Sequence, residues 1–267
     1  MGLDLTSLYF LISSKEDDFG QGPFLSLGYP DLNFTTKALN EFREKFFKER
    51  FDKFPQELEL NSENLFKHFG YESFSVLDVY EHEKVDIVWN LNNYENLPKN
   101  YINHFSLVID PGTLQHIFDI RSCLNCIKKL VKQDGYVYHV SPGNNYLDHG
   151  FYQISPTLFQ DYYTENGFTP ISLSLQPDVR IKELIPYKEN VYRNKNLQGL
   201  WRNGNRVKVH QVCQKKEDMD NITPQQHYYS LKNSEQNISR NYIKEISFRE
   251  NGFKKQIKKL YISFIKR

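Results

Sequence analysis

Short apolar runs that end on glycine or aspartate alternate with segments of helical spacing along most of this chain. Buried strands are predicted at Pro23–Gly28, Ser73–Val79, Val85–Leu91, His104–Asp110 and Tyr136–Ser141, and later over FTPISLSL and RVKVHQVCQK. Helices are predicted over Thr35–Arg50, Asn61–Phe69 and Cys123–Lys132, and from a Ser155 N-cap to about Asn166. Strands that alternate with helices indicate an α/β fold with a doubly wound, mostly parallel sheet.

The two ends of the chain differ from this alternating pattern. The first ~22 residues are expected to form a mobile or packed extension. We divide the rest into a domain that ends at residue 217 and a region 218–267, a polar linker followed by a basic amphipathic helical tail. Residues 252–267 hold six Lys or Arg and no acidic residue. The apolar residues of this segment form a stripe along one face of the predicted helix, with lysines on the other face. That tail is expected to pack on its own domain or a partner subunit, or to bind an anionic membrane surface or substrate.

Composition narrows the classes of protein further. The 267 residues carry a net charge of +1, which disfavours a general nucleic-acid binder. Three cysteines are too few for a disulfide scaffold, and no apolar run reaches the ~20 residues of a membrane-spanning helix. With no signal-peptide pattern at the N-terminus, a reducing cytoplasm is the expected compartment.

The residues that follow the predicted strands are candidates for a ligand site, because parallel sheets bind ligands beyond the carboxyl ends of their strands. Gly28 follows the first strand, where a glycine lets backbone approach a ligand. Asp78 ends the second strand, and a carboxylate accepts hydrogen bonds from both hydroxyls of a ribose. Asn90 and Asp110 follow the next two, so the spacing is typical of a nucleotide-type cofactor site.

Two stretches carry a resemblance to a known family. The stretches are GTLQHIFD (Gly112–Asp119) and DHGFYQISPTLF (Asp148–Phe159). About residues 20–170 resemble a branch of the class I S-adenosylmethionine (SAM)-dependent methyltransferases, and the two stretches are specific to that branch. This branch is associated with bacterial surface-polysaccharide (capsule or O-antigen) biosynthesis. The resemblance implies a Rossmann-like fold, SAM as cofactor, and methyl transfer to an oxygen of a small or nucleotide-linked acceptor such as a sugar, a nucleotide-sugar or a phosphoramidate group.

The resemblance also implies roles for strand-end residues. The implied cofactor-binding residues are Gly28 at the start of the glycine loop, Asp78 on the ribose, Asn90 and Leu91 at the adenine, and Asp110, Gly112 and Thr113 near the methionine and acceptor. The chain departs from the family pattern in three places. It has one glycine in place of Gly-x-Gly-x-Gly, Asn90 where aspartate is common, and Gln115 where glutamate is frequent.

Histidines supply the candidate catalytic groups. An acceptor hydroxyl must lose its proton, and a neutral histidine is a base at the working pH. We expect His149 to act as the base or to orient the acceptor oxygen, with His116 as the alternative, because the two family-specific stretches contain them. Asp148 is expected to orient or charge the His149 ring, and a structural role stays the alternative for each histidine. His139 lies within a strand and is expected to be structural. Tyr152 and Gln153 are the expected acceptor-pocket residues, with ordinary packing as their alternative.

Four other interpretations compete with this one. A metal site built from the histidines and Asp110 matches no helical metal motif, and the Cys123-x-x-Cys126 pair lies in a predicted helix without a second pair. A degenerate methyltransferase fold that acts as a binding or scaffold subunit is favoured by the missing glycines. A glycosyltransferase is disfavoured, because no Asp-x-Asp motif stands directly at the end of a predicted strand; Asp218-Met219-Asp220 begins three residues after the last one.

Overall fold

The computed structural model describes residues 2–15, 19–177, 184–186 and 204–226. Eight strands in this part of the chain form a single sheet in the order β3-β2-β1-β4-β5-β8-β6-β7. The strands are β1 (Pro23–Leu27), β2 (Ser73–Asp78), β3 (Ile87–Val88), β4 (Phe105–Asp110), β5 (Val131–Asn144), β6 (Phe168–Pro177), β7 (Ile185–Pro186) and β8 (Val207–Lys215). The α-helices are α1 (Leu5–Ser14), α2 (Thr36–Phe46), α3 (Ser62–His68), α4 (Ile120–Leu130) and α5 (Pro156–Glu165), and 3₁₀ turns cover Lys99–Tyr101 and Leu114–His116.

Strands β1 to β5 are mutually parallel, and β8 runs antiparallel between β5 and β6. The strand order reverses between β1 and β4, because β2 and β3 lie on one side of β1 and the later strands on the other. In open α/β sheets this switch point opens the crevice in which ligands bind. We call the edge at which β1 to β5 end the carboxyl edge.

Alternating side chains divide the core into two layers, one on each face of the sheet. On β4, Val108 faces the layer covered by α4 and α5, whereas Leu107 and Ile109 face the layer covered by α1, α2 and α3. Period-two alternation with apolar residues on both faces is the pattern of a sheet that is buried on both sides. The expected fold class, a doubly wound and mostly parallel Rossmann-like sheet, is therefore confirmed.

The described part of the N-terminal extension is packed, and Leu5–Ser14 within it form a helix that the sequence pattern did not predict. Asp4 caps α1 by accepting a hydrogen bond from the Ser7 amide at 2.8 Å. Leu8, Phe10 and Leu11 are buried against the sheet. Ahead of the helix, Leu3 pairs with Leu32 in the loop that follows β1, so the extension also fixes that loop.

The polar linker predicted from residue 218 begins with a segment that contacts the domain. The Asn103 side-chain Nδ2 donates to Asp218 Oδ2 at 3.0 Å, and the Ile222 backbone amide donates to Asn166 Oδ1 at 3.0 Å. Residues 227–267, including the basic tail 252–267, lie outside the described residues, so the domain boundary and the roles of the tail stay predictions. No helix in the described ranges is long and apolar enough to cross a membrane.

Candidate functional site

Three of the predicted cofactor residues meet at the switch point of the sheet. Gly28 has a positive φ of 74°, and a Cβ at this position would lie 3.3 Å from Thr113 Oγ1 and 3.9 Å from Asp78 Oδ2. The Thr113 hydroxyl donates to the Leu27 carbonyl at 2.6 Å and so links the end of β1 to the loop after β4. Gly28 thus lies between a carboxylate and a hydroxyl at the point where the strand order reverses.

The two carboxylate oxygens of Asp78 have different surroundings. Oδ1 accepts from the Val79 amide at 2.6 Å, which holds the carboxylate at the end of β2. Oδ2 lies on the Gly28 side and accepts no hydrogen bond from any described residue, although His82 Nε2 is 3.9 Å away. One oxygen therefore fixes the side chain and the other is free to accept a hydrogen bond from a ligand.

Asp110 is placed differently from the expectation that it lies beside the methionine. Its side chain is 0% exposed, and Oδ1 accepts from the amides of Gly112, Thr113 and Leu114 at 3.2, 2.6 and 3.1 Å. Oδ2 lies 2.8 Å from His139 Nδ1. Because every contact of this carboxylate is with the protein, we assign Asp110 to ordering the loop 111–119 rather than to touching a ligand.

His139 continues the buried chain of polar groups behind Asp110. Its Nε2 lies 2.6 Å from the Tyr163 hydroxyl, and its ring stacks on Phe159 at a centroid distance of 4.4 Å. Both ring nitrogens are therefore satisfied within the core, which accords with the structural role expected for this histidine. Tyr163 belongs to α5, so the chain connects that helix to the loop after β4.

His116 and His149, the two candidate bases, lie side by side. Their ring centroids are 5.2 Å apart with the planes at 72°. His116 is exposed and His149 half-buried, and His149 Nε2 is shielded from solvent without a hydrogen-bond partner. Burial, followed by the neighbouring His149, lowers the pKa of His116 below its usual value. A lowered pKa keeps the ring neutral at neutral pH, which is the state a proton acceptor requires.

Close contacts hold the loop after β5 against the loop after β4. We call these contacts, made by Gly150, Phe151 and Tyr152 with Gln115 and Phe118, the latch. Gly150 has a φ of 82°, and a Cβ there would stand 2.8 Å from the Gln115 carbonyl oxygen. The Phe151 amide donates to the same oxygen at 2.8 Å. The Tyr152 hydroxyl donates to the Phe118 carbonyl at 2.9 Å. This latch brings the two histidines together although they follow different strands.

Tyr152 and Gln153, the expected acceptor-pocket residues, both have contacts within the loops. Gln153 Oε1 accepts from the Tyr146 amide at 3.0 Å, and Tyr152 takes part in the latch through its hydroxyl. Asp148 has a positive φ of 64° and an exposed side chain beside His149. These contacts give Tyr152 and Gln153 a part in shaping the loop, and their contact with an acceptor stays a prediction.

Asn90 and Leu91 lie in the loop after β3, and their expected contacts with an adenine stay predictions. Asn90 Oδ1 already accepts from the amide and the side chain of Asn92, each at 2.9 Å, so both of its lone pairs are used. The Leu91 side chain is buried in the core layer under α4. The Asn90 oxygen is therefore occupied within the loop after β3, and the Leu91 side chain lies in the core.

Exposed apolar side chains stand on the loops that follow β2, β4 and β5 at the carboxyl edge. We call these residues the apolar rim: Tyr80, Phe118, Leu147 and Phe151, which are 77%, 70%, 85% and 65% exposed. The rings of Phe118 and Phe151 meet edge to face at 5.7 Å. Large apolar side chains at this exposure make the apolar rim a candidate contact surface for a bound molecule.

The competing metal and thiol interpretations find no geometry among the described residues. No group of three His, Cys, Asp or Glu side chains in these ranges could hold a metal ion. Cys123 and Cys126 face the core from α4, and burial raises the pKa of Cys126 to about 12. A buried, protonated thiol is a poor nucleophile and a poor metal ligand.

Sequence reasoning missed residues that complete the site. Tyr163, Tyr146 and Arg206 lie in no family-specific pattern, and each reaches the site through the fold. The Tyr146 ring lies 5.8 Å from the His149 ring, and the Arg206 guanidinium lies over Tyr146 at 5.5 Å. Arg206 directly precedes β8, which pairs with the end of β5, so the sheet register brings it to the site.

Comparison with known proteins gives a similarity of fold. No protein-family model and no curated protein matches the chain. Solved structures that align with about four fifths of it include a putative methyltransferase from Bacillus halodurans (11% identity, 80% of this chain and 99% of that chain, TM-score 0.45). A putative sarcosine dimethylglycine methyltransferase from Galdieria sulphuraria aligns at 12% identity over 80% and 85%, TM-score 0.43. A Burkholderia thailandensis 1,6-didemethyltoxoflavin-N1-methyltransferase, with S-adenosylhomocysteine bound, aligns at 12% identity over 79% and 77%, TM-score 0.44.

Proposed function

We propose that this chain is a SAM-dependent methyltransferase that methylates an oxygen of a surface-polysaccharide precursor. The observation that carries the proposal is the free oxygen of Asp78 beside Gly28 at the switch point of the sheet. The surface-polysaccharide class of acceptor is supported by the resemblance of the two stretches at Gly112–Asp119 and Asp148–Phe159.

The residues at the switch point fit SAM as cofactor. Asp78 Oδ2 is an unsatisfied, partly exposed acceptor where a ribose hydroxyl would donate, and Gly28 leaves room beside it because it has no Cβ. Thr113 borders the same space and would face the methionine part. When bound, SAM supplies a methyl group that its sulfonium already activates.

The histidine pair would prepare the acceptor. His149 or His116 would take the proton from an acceptor hydroxyl, since both lie on the loops that follow β4 and β5 at the carboxyl edge. The latch between Gly150 and Gln115 would hold the pair in place, and the apolar rim would exclude water from an acceptor bound against it. Asp110 would act through the loop it orders.

A second candidate, a scaffold protein with a degenerate site, is favoured by the single glycine after β1 and by the hydrogen bond of Thr113 to Leu27, which spans the switch point. Calorimetric titration of the full chain with SAM, S-adenosylhomocysteine and a nucleotide-sugar separates the candidates. The proposal expects saturable one-to-one binding of SAM and its product. If neither SAM nor S-adenosylhomocysteine binds, the proposal is overturned in favour of the scaffold. If the nucleotide-sugar binds and neither SAM nor S-adenosylhomocysteine competes with it, the result indicates a different nucleotide-using enzyme.

A further inference from the structure

Arg206 carries a positive charge at the carboxyl edge that no carboxylate among the described residues neutralises. Its side chain is exposed, and it forms no ion pair with an acidic residue in the described part of the chain. Lys208, two positions further along, differs in that it pairs with Asp4 at 3.4 Å. An arginine without a carboxylate partner keeps its planar set of donors available for a ligand.

The backbone around Arg206 is held firmly on both sides. Val207 pairs with Asn144 at the end of β5, and the Asn205 carbonyl accepts from the Asn145 side chain. Val207 is buried, whereas Arg206 points outward over the Tyr146 ring. The guanidinium is therefore positioned by strand pairing rather than carried on an unattached loop, as a site for ligand recognition requires.

A continuous row of rings connects Arg206 to the candidate bases. The guanidinium lies 5.5 Å from the Tyr146 ring centroid, Tyr146 lies 5.8 Å from His149, and His149 lies 5.2 Å from His116. Within this row His149 Nε2 is shielded from solvent and has no hydrogen-bond partner. The row thus holds an unpaired cation at one end and an unsatisfied imidazole nitrogen two rings away.

From this arrangement, and resting on the proposed function, we propose that Arg206 binds an oxyanion, a phosphate or carboxylate, on the acceptor while His149 faces the acceptor oxygen. A guanidinium binds either oxyanion through two parallel hydrogen bonds, which fixes orientation as well as position. Leu147 and Phe151 in the apolar rim would cover the body of the acceptor between these two points. Arg206 is therefore a specificity-determining residue for an anionic acceptor.

The test uses phenyl phosphate, benzoate and phenol as probes, which share an aromatic body and differ in charge. Binding to the full chain is followed by NMR shifts of the histidine ring protons, with S-adenosylhomocysteine present. Arg206→Gln should weaken phenyl phosphate or benzoate binding by about 10- to 100-fold, since hydrogen bonds to a charged group contribute about 1.5–3 kcal/mol. Arg206→Lys should retain part of the affinity, and phenol binding should not respond to either variant.

Lys99→Gln is the matched control, because Lys99 is exposed before β4 at the opposite edge and its loss changes the net charge equally. Loss of phenyl phosphate binding alone supports a phosphate acceptor, and loss of benzoate binding alone supports a carboxylate. Equal binding by Arg206→Gln and wild type, an equal loss in Lys99→Gln, or no oxyanion binding to wild type would overturn the inference. Each probe is also titrated without S-adenosylhomocysteine. Failure of wild type to bind S-adenosylhomocysteine would therefore count against the proposed function and not against the role of Arg206.

Discussion

Gly150 lies so close to Gln115 that a Cβ on the glycine would stand 2.8 Å from the Gln115 carbonyl oxygen. This contact joins the loops that follow β4 and β5, and each loop carries one histidine of the pair. The position of the pair thus depends on the absence of a side chain at residue 150. Only glycine combines that absence with an unstrained φ of 82°.

Gly150→Ala should separate the two loops and reduce turnover, while SAM affinity stays near that of wild type because Asp78 and Gly28 are on other loops. We expect a loss of stability above the ~1 kcal/mol typical of alanine at positive φ, measured by urea unfolding. Gly204→Ala is the matched control: its φ is 69°, and a Cβ there meets no atom of a described residue within 4 Å. Equal effects of the two substitutions on turnover would show that the latch does not position the histidines.

His149→Ala should reduce turnover by about 10²- to 10⁴-fold with little change in SAM affinity, because positioned proton transfer contributes that much to rate. Burial is the larger cause of the lowered pKa of His116, and the neighbouring His149 lowers it further. His149→Gln should therefore raise the pKa of His116 measured by NMR. If His116 is the base, its neutral form is the active one, so activity falls as pH drops through the pKa of His116, and because that pKa is lowered the fall lies below about pH 6.5.

His104→Gln serves as the control for this histidine experiment. His104 lies at the start of β4, on the opposite edge of the sheet from His116 and His149. It should change neither turnover nor the pKa of His116. A His149→Ala variant with full turnover on the true acceptor would remove His149 from the mechanism and leave His116 as the candidate base.

Asp78→Asn should weaken SAM binding, because the free oxygen is the acceptor assigned to the ribose. The loss should be about 1.5–3 kcal/mol per charge-assisted hydrogen bond, read by calorimetry. Asp134→Asn removes the same charge from the opposite edge, where Asp134 is exposed and pairs only with Lys216 at the surface. Unchanged affinity in Asp78→Asn would transfer the ribose contact to another residue, whereas a matching loss in Asp134→Asn would indicate a nonspecific charge effect.

His210 predicts how stability depends on pH. It is fully buried between Tyr138 and Gln176, and burial lowers its pKa to about 3. The unfolded chain binds a proton on this residue below about pH 6.5 and the folded chain does not, so His210 reduces stability as pH falls from 6.5 towards 3. His210→Gln should lessen the slope of unfolding free energy against pH in that window by up to about 1.4 kcal/mol per pH unit. An unchanged slope would contradict the assignment.

Much of the fold could be read from the sequence because its signals are local. Apolar runs ending at Asp78 and Asp110 marked two central strands, and the pattern from Ser155 located α5 correctly. The start of β5 was placed too late, at Tyr136, because its polar first residues Lys132–Asp134 are exposed and lack strand periodicity. Helix α1 was missed because its apolar residues run almost without interruption, a pattern shared by buried helices and strands.

The candidate site was less accessible to sequence reasoning, because strand-end position does not show where a side chain points. Asp78 and Asp110 both end parallel strands, yet one leaves an oxygen free and the other uses both oxygens in the core. What distinguishes them is His139 on the neighbouring strand, a contact set by sheet register. Arg206 joins the site through the pairing of β8 with β5, which no local pattern encodes.

The central claim is that SAM binds at the switch point, with its ribose on Asp78 and its methyl group towards the histidine pair. A crystal structure of the chain with S-adenosylhomocysteine tests this most directly. We expect the ribose hydroxyls to lie within about 2.6–3.2 Å of Asp78 Oδ2. The sulfur of S-adenosylhomocysteine should lie on the side of Gly28 that faces His116 and His149. A ligand bound away from Gly28 and Asp78, or a sulfur that faces away from both histidines beyond the reach of a bridging acceptor, would contradict it.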